Sequence, residues 1–190
     1  MNNDRILINR LKSFENINSN LLNVVLAVFG TLLLALSSKV QVPFWPVPMT
    51  MQTFIVFLIG MAYGWKLALT TLAAYLIEGA LGLPVFAKGG GMAYLSGPTA
   101  GYLYGMVFAA GLIGFFSERG FAKSYLYCFF SLFVGTAIIF LFGVGYLASI
   151  IGYEKAISAG LLPFILSEFF KIALAVAIIP TIWKYKNNQN

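Results

Sequence analysis

Apolar residues in this chain come in runs longer than a soluble domain needs, broken by short stretches of proline, glycine and charge. Six runs can be marked: Leu21–Ser38, Thr50–Trp65, Leu67–Leu81, Ala100–Phe116, Tyr125–Leu147 and Leu161–Trp183. A helix crossing a hydrocarbon core near 30 Å needs about 20 residues at about 1.5 Å each, so the fifth and sixth runs span unaided. The second and third are separated by Lys66 alone, next to Gly64 and Trp65. Read as one helix, Thr50 to Leu81 extends roughly 48 Å, too long for one bilayer, so a short helical hairpin turning at Gly64–Lys66 is predicted. The expected fold class is an all-α integral membrane protein. It is a compact bundle of about six transmembrane helices with structured outward-facing loops.

Composition agrees. Of the 190 residues, 60% are hydrophobic and 9% charged, with a mean hydropathy of +0.87, against roughly 45–50% apolar and 25% charged in soluble domains. A water-soluble globule is excluded. The first stretch carries Asp4, Arg5, Arg10, Lys12 and Glu15, with no apolar core before Leu21 and no small-residue cleavage pattern. It is therefore expected to be a retained cytoplasmic segment and not a cleaved signal peptide. The domain reading is a cytoplasmic N-terminal segment at 1–20, a membrane domain at 21–185 and a cytoplasmic tail at 186–190. The single cysteine, Cys128, lies inside an apolar run, which excludes an intrachain disulfide framework and a cysteine metal site.

The net charge is +6, yet the basic residues stand in ones and twos between apolar runs and form no basic face for nucleic acid. They report orientation instead. Both termini and the second and fourth connections hold Arg5, Arg10, Lys12, Lys66, Arg119, Lys123, Lys184 and Lys186, eight in all. The other connections hold three, Lys39, Lys88 and Lys155. Eight against three puts both termini in the cytoplasm and turns the first, third and fifth connections outward.

Two of these outward connections are unusual. The first, Val40-Gln-Val-Pro-Phe-Trp-Pro-Val-Pro-Met-Thr50, has three prolines that hold its backbone extended. The third, running from Gly82 to Thr99, is apolar and aromatic yet rich in glycine. Non-helical backbone at membrane depth survives where it is buried in protein or lines a cavity, so both segments are expected to fold inward as a lid. The alternative is a pair of interfacial loops anchored by Trp45, Phe86 and Tyr94.

Charge inside the membrane needs a reason. Glu168 falls about seven residues into the last run, with Lys171 three positions later on the same face. Burying such a charge costs at least ~2.5 kcal/mol on insertion scales, so the two should face the bundle interior. Either they form a helix-stabilising ion pair, or they line a polar pocket and meet a ligand's donors and its negative group. Glu78, near the end of the third run, can reach that pocket or the interface. Lys88 is a ligand contact in the glycine loop or an interfacial cation. Ala27, Thr31 and Ala35 recur every four residues, a small-residue stripe that suits either packing within the bundle or a partner's docking.

Enzymatic readings find little support. Gly89-Gly90-Gly91 is not followed by the Gly-Lys-Ser/Thr of a nucleotide-binding loop, so any ATP-driven step requires another subunit. Histidine is absent and Asp4 is the one aspartate, which removes serine–histidine, zinc-hydrolase and paired-aspartate mechanisms.

The segments Pro46-Val-Pro-Met-Thr-Met-Gln-Thr53, Gly82-Leu-Pro-Val-Phe-Ala with its glycine run, and Leu95-Ser-Gly-Pro-Thr-Ala-Gly-Tyr102 resemble, in order and spacing, the signatures of BioY-type biotin transporters. These are the substrate-capture components of energy-coupling factor systems. In the last helix that family usually has Pro-Phe, two residues, Gly-Asp, two residues, Lys. Here the stretch is Pro163-Phe-Ile-Leu-Ser-Glu-Phe-Phe-Lys171, with Ser167 and Glu168 at the Gly-Asp positions. The resemblance implies a cytoplasmic-membrane subunit that binds biotin from outside and holds no cofactor. It further implies a transmembrane coupling subunit and two cytoplasmic ATPases as partners, docked on Ala27, Thr31 and Ala35. For biotin, Trp45, Phe86, Tyr94 and Tyr102 are expected to wall the apolar bicycle. Thr50, Gln52 and Glu168 are expected to supply donors and acceptors, with Lys171 or Lys88 meeting the carboxylate. Capture of another small vitamin, or an assembly subunit with no ligand, are the alternatives.

Overall fold

The computed structural model describes residues 18–187. The expected N-terminal segment 1–20 and the tail 186–190 therefore lie largely outside the described residues. Helix α1 spans Ser19–Lys39 and opens at Asn18, whose side-chain oxygen accepts the Asn20 N–H at 3.0 Å. In the first outward connection, β1 (Gln41–Val42) pairs antiparallel with β2 (Met49–Thr50), Gln41 opposite Thr50. Then come α2 (Gln52–Ala80), α3 (Ala100–Glu118), α4 (Tyr125–Ile151), α5 (Tyr153–Gly160) and α6 (Leu162–Asn187).

Helix α2 folds back on itself. Gln52 and Tyr75 would stand about 34 Å apart on a straight helix, yet Gln52 Nε2 donates to Tyr75 Oη at 2.7 Å. The reversal falls at Gly64, whose φ of 75° and ψ of 172° lie in a region open almost only to glycine. Both broken helix ends are capped from the end of α3. Ser117 Oγ donates to the Met61 carbonyl at 2.6 Å, and Glu118 Oε1 accepts the Trp65 N–H at 3.1 Å. The α3 backbone can come this close because Gly114 has no side chain, and a Cβ there would stand 2.5 Å from Gly64 C and Trp65 N. Five stretches are long and apolar enough to cross a membrane. With α2 counted as two limbs, the apolar helical segments among the described residues number six.

Helix α3 is the most enclosed of these, with 67% of its apolar window buried against 28% for α1 at the periphery. Small residues let its neighbours close in: Gly105 approaches Ile139 of α4, and Gly60 of α2 approaches Ile113 and Ala110. The described basic residues fall at both ends of the bundle. At one end of the bundle Lys66, Arg119, Lys123 and Lys184 lie over the rings of Trp65, Phe115, Trp183 and Tyr125. At the other, Lys39 Nζ donates to the Phe86 carbonyl at 2.6 Å.

Two features add to the sequence reading. Part of the fifth connection, to which the sequence reading assigned no element, is helix α5, whose Glu154, Lys155 and Ser158 alternate with apolar residues over eight positions, too few for a periodic signal. Of the two readings of the stripe on α1, its surroundings fit packing within the bundle. Thr31 is buried, its hydroxyl donating to the Val28 carbonyl at 3.0 Å. Ala35 packs on the main core, and Ala27 is half-buried. A Cβ at Gly30 would meet Thr71, Tyr63 and Ile59 of α2, and Tyr63 Oη donates to the Leu26 carbonyl. The small residues thus serve packing of α1 on α2, and α1 instead exposes Val24, Val25, Val28, Phe29, Leu32 and Leu36.

Candidate functional site

At the end opposite the basic rings, a cavity opens between β2, the start of α2, α3, α4 and α6. Its empty space is about 550 Å³ with the mouth and the open solvent before it included. The floor is polar. Glu168 reaches it from α6, where Lys171 lies on the same face, and both are buried.

Lys171 Nζ donates to Glu168 Oε1 at 2.6 Å, to the Thr50 carbonyl at 2.6 Å and to Thr53 Oγ1 at 3.0 Å. Thr53 Oγ1 in turn donates to Glu168 Oε1 at 2.9 Å. One carboxylate oxygen is thereby held twice, while Glu168 Oε2 is buried with no hydrogen-bond partner among the described residues. A buried, unsatisfied acceptor costs on the order of 1–3 kcal/mol, more when charged, so it calls for a donor from the cavity. The ammonium has three protons and three partners. Lys171 therefore stands behind Glu168 and outside the cavity lining, orienting the carboxylate with no proton left for a ligand's own anion.

The walls are aromatic. Tyr102 of α3 donates to the Gly160 carbonyl at 2.8 Å and lies with its ring 6.4 Å from that of Phe164. Its place is made by Gly143, where a Cβ would run into the Tyr102 ring. Tyr94 stacks on Phe86 at 4.9 Å, and Phe86 meets Tyr75 edge-on at 5.4 Å. Phe86 is fully buried beneath the glycine loop, in space left by Gly79. It supports Tyr94 and does not itself line the cavity.

The loop above is tied down through its carbonyls. Val85 O accepts from Ser38 Oγ at 2.8 Å and Tyr75 Oη at 2.7 Å, Phe86 O from Lys39 Nζ, and Ala87 O from Gln41 Nε2 at 3.2 Å. Three successive carbonyls are thus met by side chains, most of them from the end of α1 and the strand after it. The first loop also dips inward, burying Val47, while Phe44 covers Phe164 at 6.3 Å.

Of the residues singled out from sequence, Thr50, Gln52, Tyr94, Tyr102 and Glu168 line the cavity together. Thr50 Oγ1 donates to Gln52 Oε1 at 3.2 Å. Trp45, expected to wall the ligand, is 81% exposed and does not line the cavity, whereas Val47, two residues on, is buried and does. Lys88 is exposed and Glu78 half-buried, and neither lines the cavity. Sequence reasoning passed over Thr53 and Phe164, which stood inside the quoted motifs. It also passed over Thr136, Ile139 and Phe140 of α4, which no motif marks.

Comparison with known proteins sets this geometry in context. The family model described as the BioY family matches residues 10–188. A protein named biotin transporter BioY from Thermotoga maritima is 37% identical over 150 residues, covering 78% of this chain and 88% of its own. The probable biotin transporter BioY of Pyrococcus horikoshii is 36% identical over 156 residues, covering 82% and 92%. Among solved structures, the S-component for biotin from an ECF-type ABC transporter superposes with a TM-score of 0.77 at 24% identity, over 88% of this chain and 95% of that one. That likeness establishes the fold.

Proposed function

Because the chain belongs to the BioY family, we propose that it captures biotin in the cavity above Glu168 and serves its uptake across the cytoplasmic membrane. The observation that carries this reading is the free oxygen of Glu168. Biotin offers a ureido group with two N–H donors, and an N–H placed on Oε2 satisfies a buried carboxylate oxygen that has no partner among the described residues. Lys171 holds the carboxylate fixed in direction through its bond to Oε1. Tyr102, Phe140 and Phe164 face the apolar bicycle, and the valerate carboxylate runs toward the mouth.

The chain carries no nucleotide-binding motif, so the energy for uptake comes from partners: a transmembrane coupling subunit and two cytoplasmic ATPases. The exposed apolar face of α1 offers the coupling subunit a surface. Radiolabelled biotin added to the purified, folded protein is expected to bind saturably below micromolar concentration. No binding at micromolar ligand with the thermal transition intact would overturn the assignment. A pull-down from native membranes is expected to bring the ATPases along.

A second reading, another small vitamin on the same fold, draws on Ser167 and Glu168 standing where the family pattern has Gly-Asp. The longer side chain moves the acceptor by about one methylene and reshapes the floor. Competition of labelled biotin with a vitamin panel separates the two, since displacement by another vitamin at lower concentration than biotin favours the second.

A further inference from the structure

A second hollow lies on the outer surface of the bundle, between the second limb of α2 and α3, well away from the cavity over Glu168. Trp65, Leu69, Phe108, Gly111, Leu112 and Phe115 line it, and nearly all of its surface is apolar. Gly111 leaves the floor without a side chain, and a Cβ there would stand 2.9 Å from Leu69. The rings of Phe108, Phe115 and Trp65 are exposed at its rim. From Phe115 to Phe108 the slot climbs about 10 Å along the α3 axis, away from the basic end of the bundle.

At that basic end two cations rest on two of the lining rings. Lys66 Nζ is 5.5 Å from the centre of the Trp65 ring, and the Arg119 guanidinium carbon is 3.2 Å from that of Phe115. Arg119 Nη1 donates to the Phe115 carbonyl at 3.1 Å, and its remaining N–H groups have no acceptor among the described residues. Lys66 Nζ has none there either. The neighbouring carboxylate, Glu118, accepts the Trp65 N–H and caps the second limb of α2. Two cations against one engaged carboxylate leave this end of the slot positive.

We infer that the hollow is a binding site for an anionic phospholipid, with one acyl chain along Phe108, Leu112 and Phe115 and the phosphate between Lys66 and Arg119. The apolar length suits a hydrocarbon tail, and basic pockets between helices at the cytoplasmic interface hold acidic headgroups. A zwitterionic lipid brings its own cation to the same place. A helix in the slot answers Lys66 and Arg119 only if it brings a carboxylate to that end, whereas one anionic phospholipid supplies both the tail and the phosphate.

Native mass spectrometry of the detergent-purified protein, titrated with phosphatidylglycerol or phosphatidylcholine of matched chains, tests this. The wild type is expected to retain phosphatidylglycerol preferentially. The double variant Lys66→Gln, Arg119→Gln is expected to bind it about thirtyfold more weakly, as removal of two interfacial cations implies. Leu112→Trp keeps both cations and fills the slot, and is also expected to lower retention. Thermal unfolding monitors the fold of each variant. Equal retention of the two lipids, or phosphatidylglycerol binding unchanged in either variant, overturns the proposal. A dimer that Leu112→Trp dissociates overturns it in favour of a second copy.

Discussion

At Glu168 the two oxygens of one carboxylate are treated differently: Oε1 takes Lys171 and Thr53, and Oε2 is buried with no hydrogen-bond partner among the described residues. Lys171→Ala strips the charge partner and leaves a buried carboxylate alone, so biotin binding is expected to weaken by more than ~2 kcal/mol. Equilibrium binding alongside thermal unfolding checks this, and wild-type affinity in a folded variant refutes the positioning role. Trp45→Ala and Lys88→Ala, exposed and outside the lining, are expected to change affinity by no more than about twofold in the same assay. The charged pair was legible in sequence because its spacing and its insertion cost demanded an interior partner. What could not be read was the division of labour, since that depends on Thr50 and Thr53 arriving from across the bundle. Thr136 and Phe140 were invisible for a different reason: every residue around them on α4 is also apolar or small, so none stands out.

Among the elements, α2 depends most on one residue. Its reversal at Gly64 holds a backbone conformation that a side chain resists, so Gly64→Ala is expected to cost about 1–3 kcal/mol. A lower thermal transition in detergent reports it, and an unchanged one means that the turn tolerates a Cβ. The glycine loop has a comparable dependence on Gly79, where a Cβ would occupy the Phe86 ring. Gly79→Ala is expected to expel Phe86 and speed proteolysis between residues 82 and 99, measured by fragment appearance over time. The hairpin could be foreseen because bilayer thickness forbids the straight alternative. The strands of the first loop could not, as two residues apiece leave no alternation to detect, and α5 was hidden by its brevity.

Over the whole molecule, charge and geometry agree about sidedness. The cations that rest on rings gather at one end and the candidate cavity opens at the other. In right-side-out vesicles a membrane-impermeant maleimide is expected to label Lys88→Cys and spare Arg119→Cys. The native Cys128 is buried and adds little background. Labelling of Arg119→Cys alone would invert the orientation. The ties that run from the end of α1 to the carbonyls of residues 85–87 reach the cavity wall, since Ala87 lines it and takes its bond from Gln41. Whatever tilts α1 within the bilayer therefore pulls on the roof over the ligand. Reciprocity then requires that a bound ligand resist that tilt by the same free energy. Amide hydrogen exchange over residues 37–41 is expected to slow when biotin binds, so that the least enclosed helix of the bundle acts as a lever on the affinity of its interior.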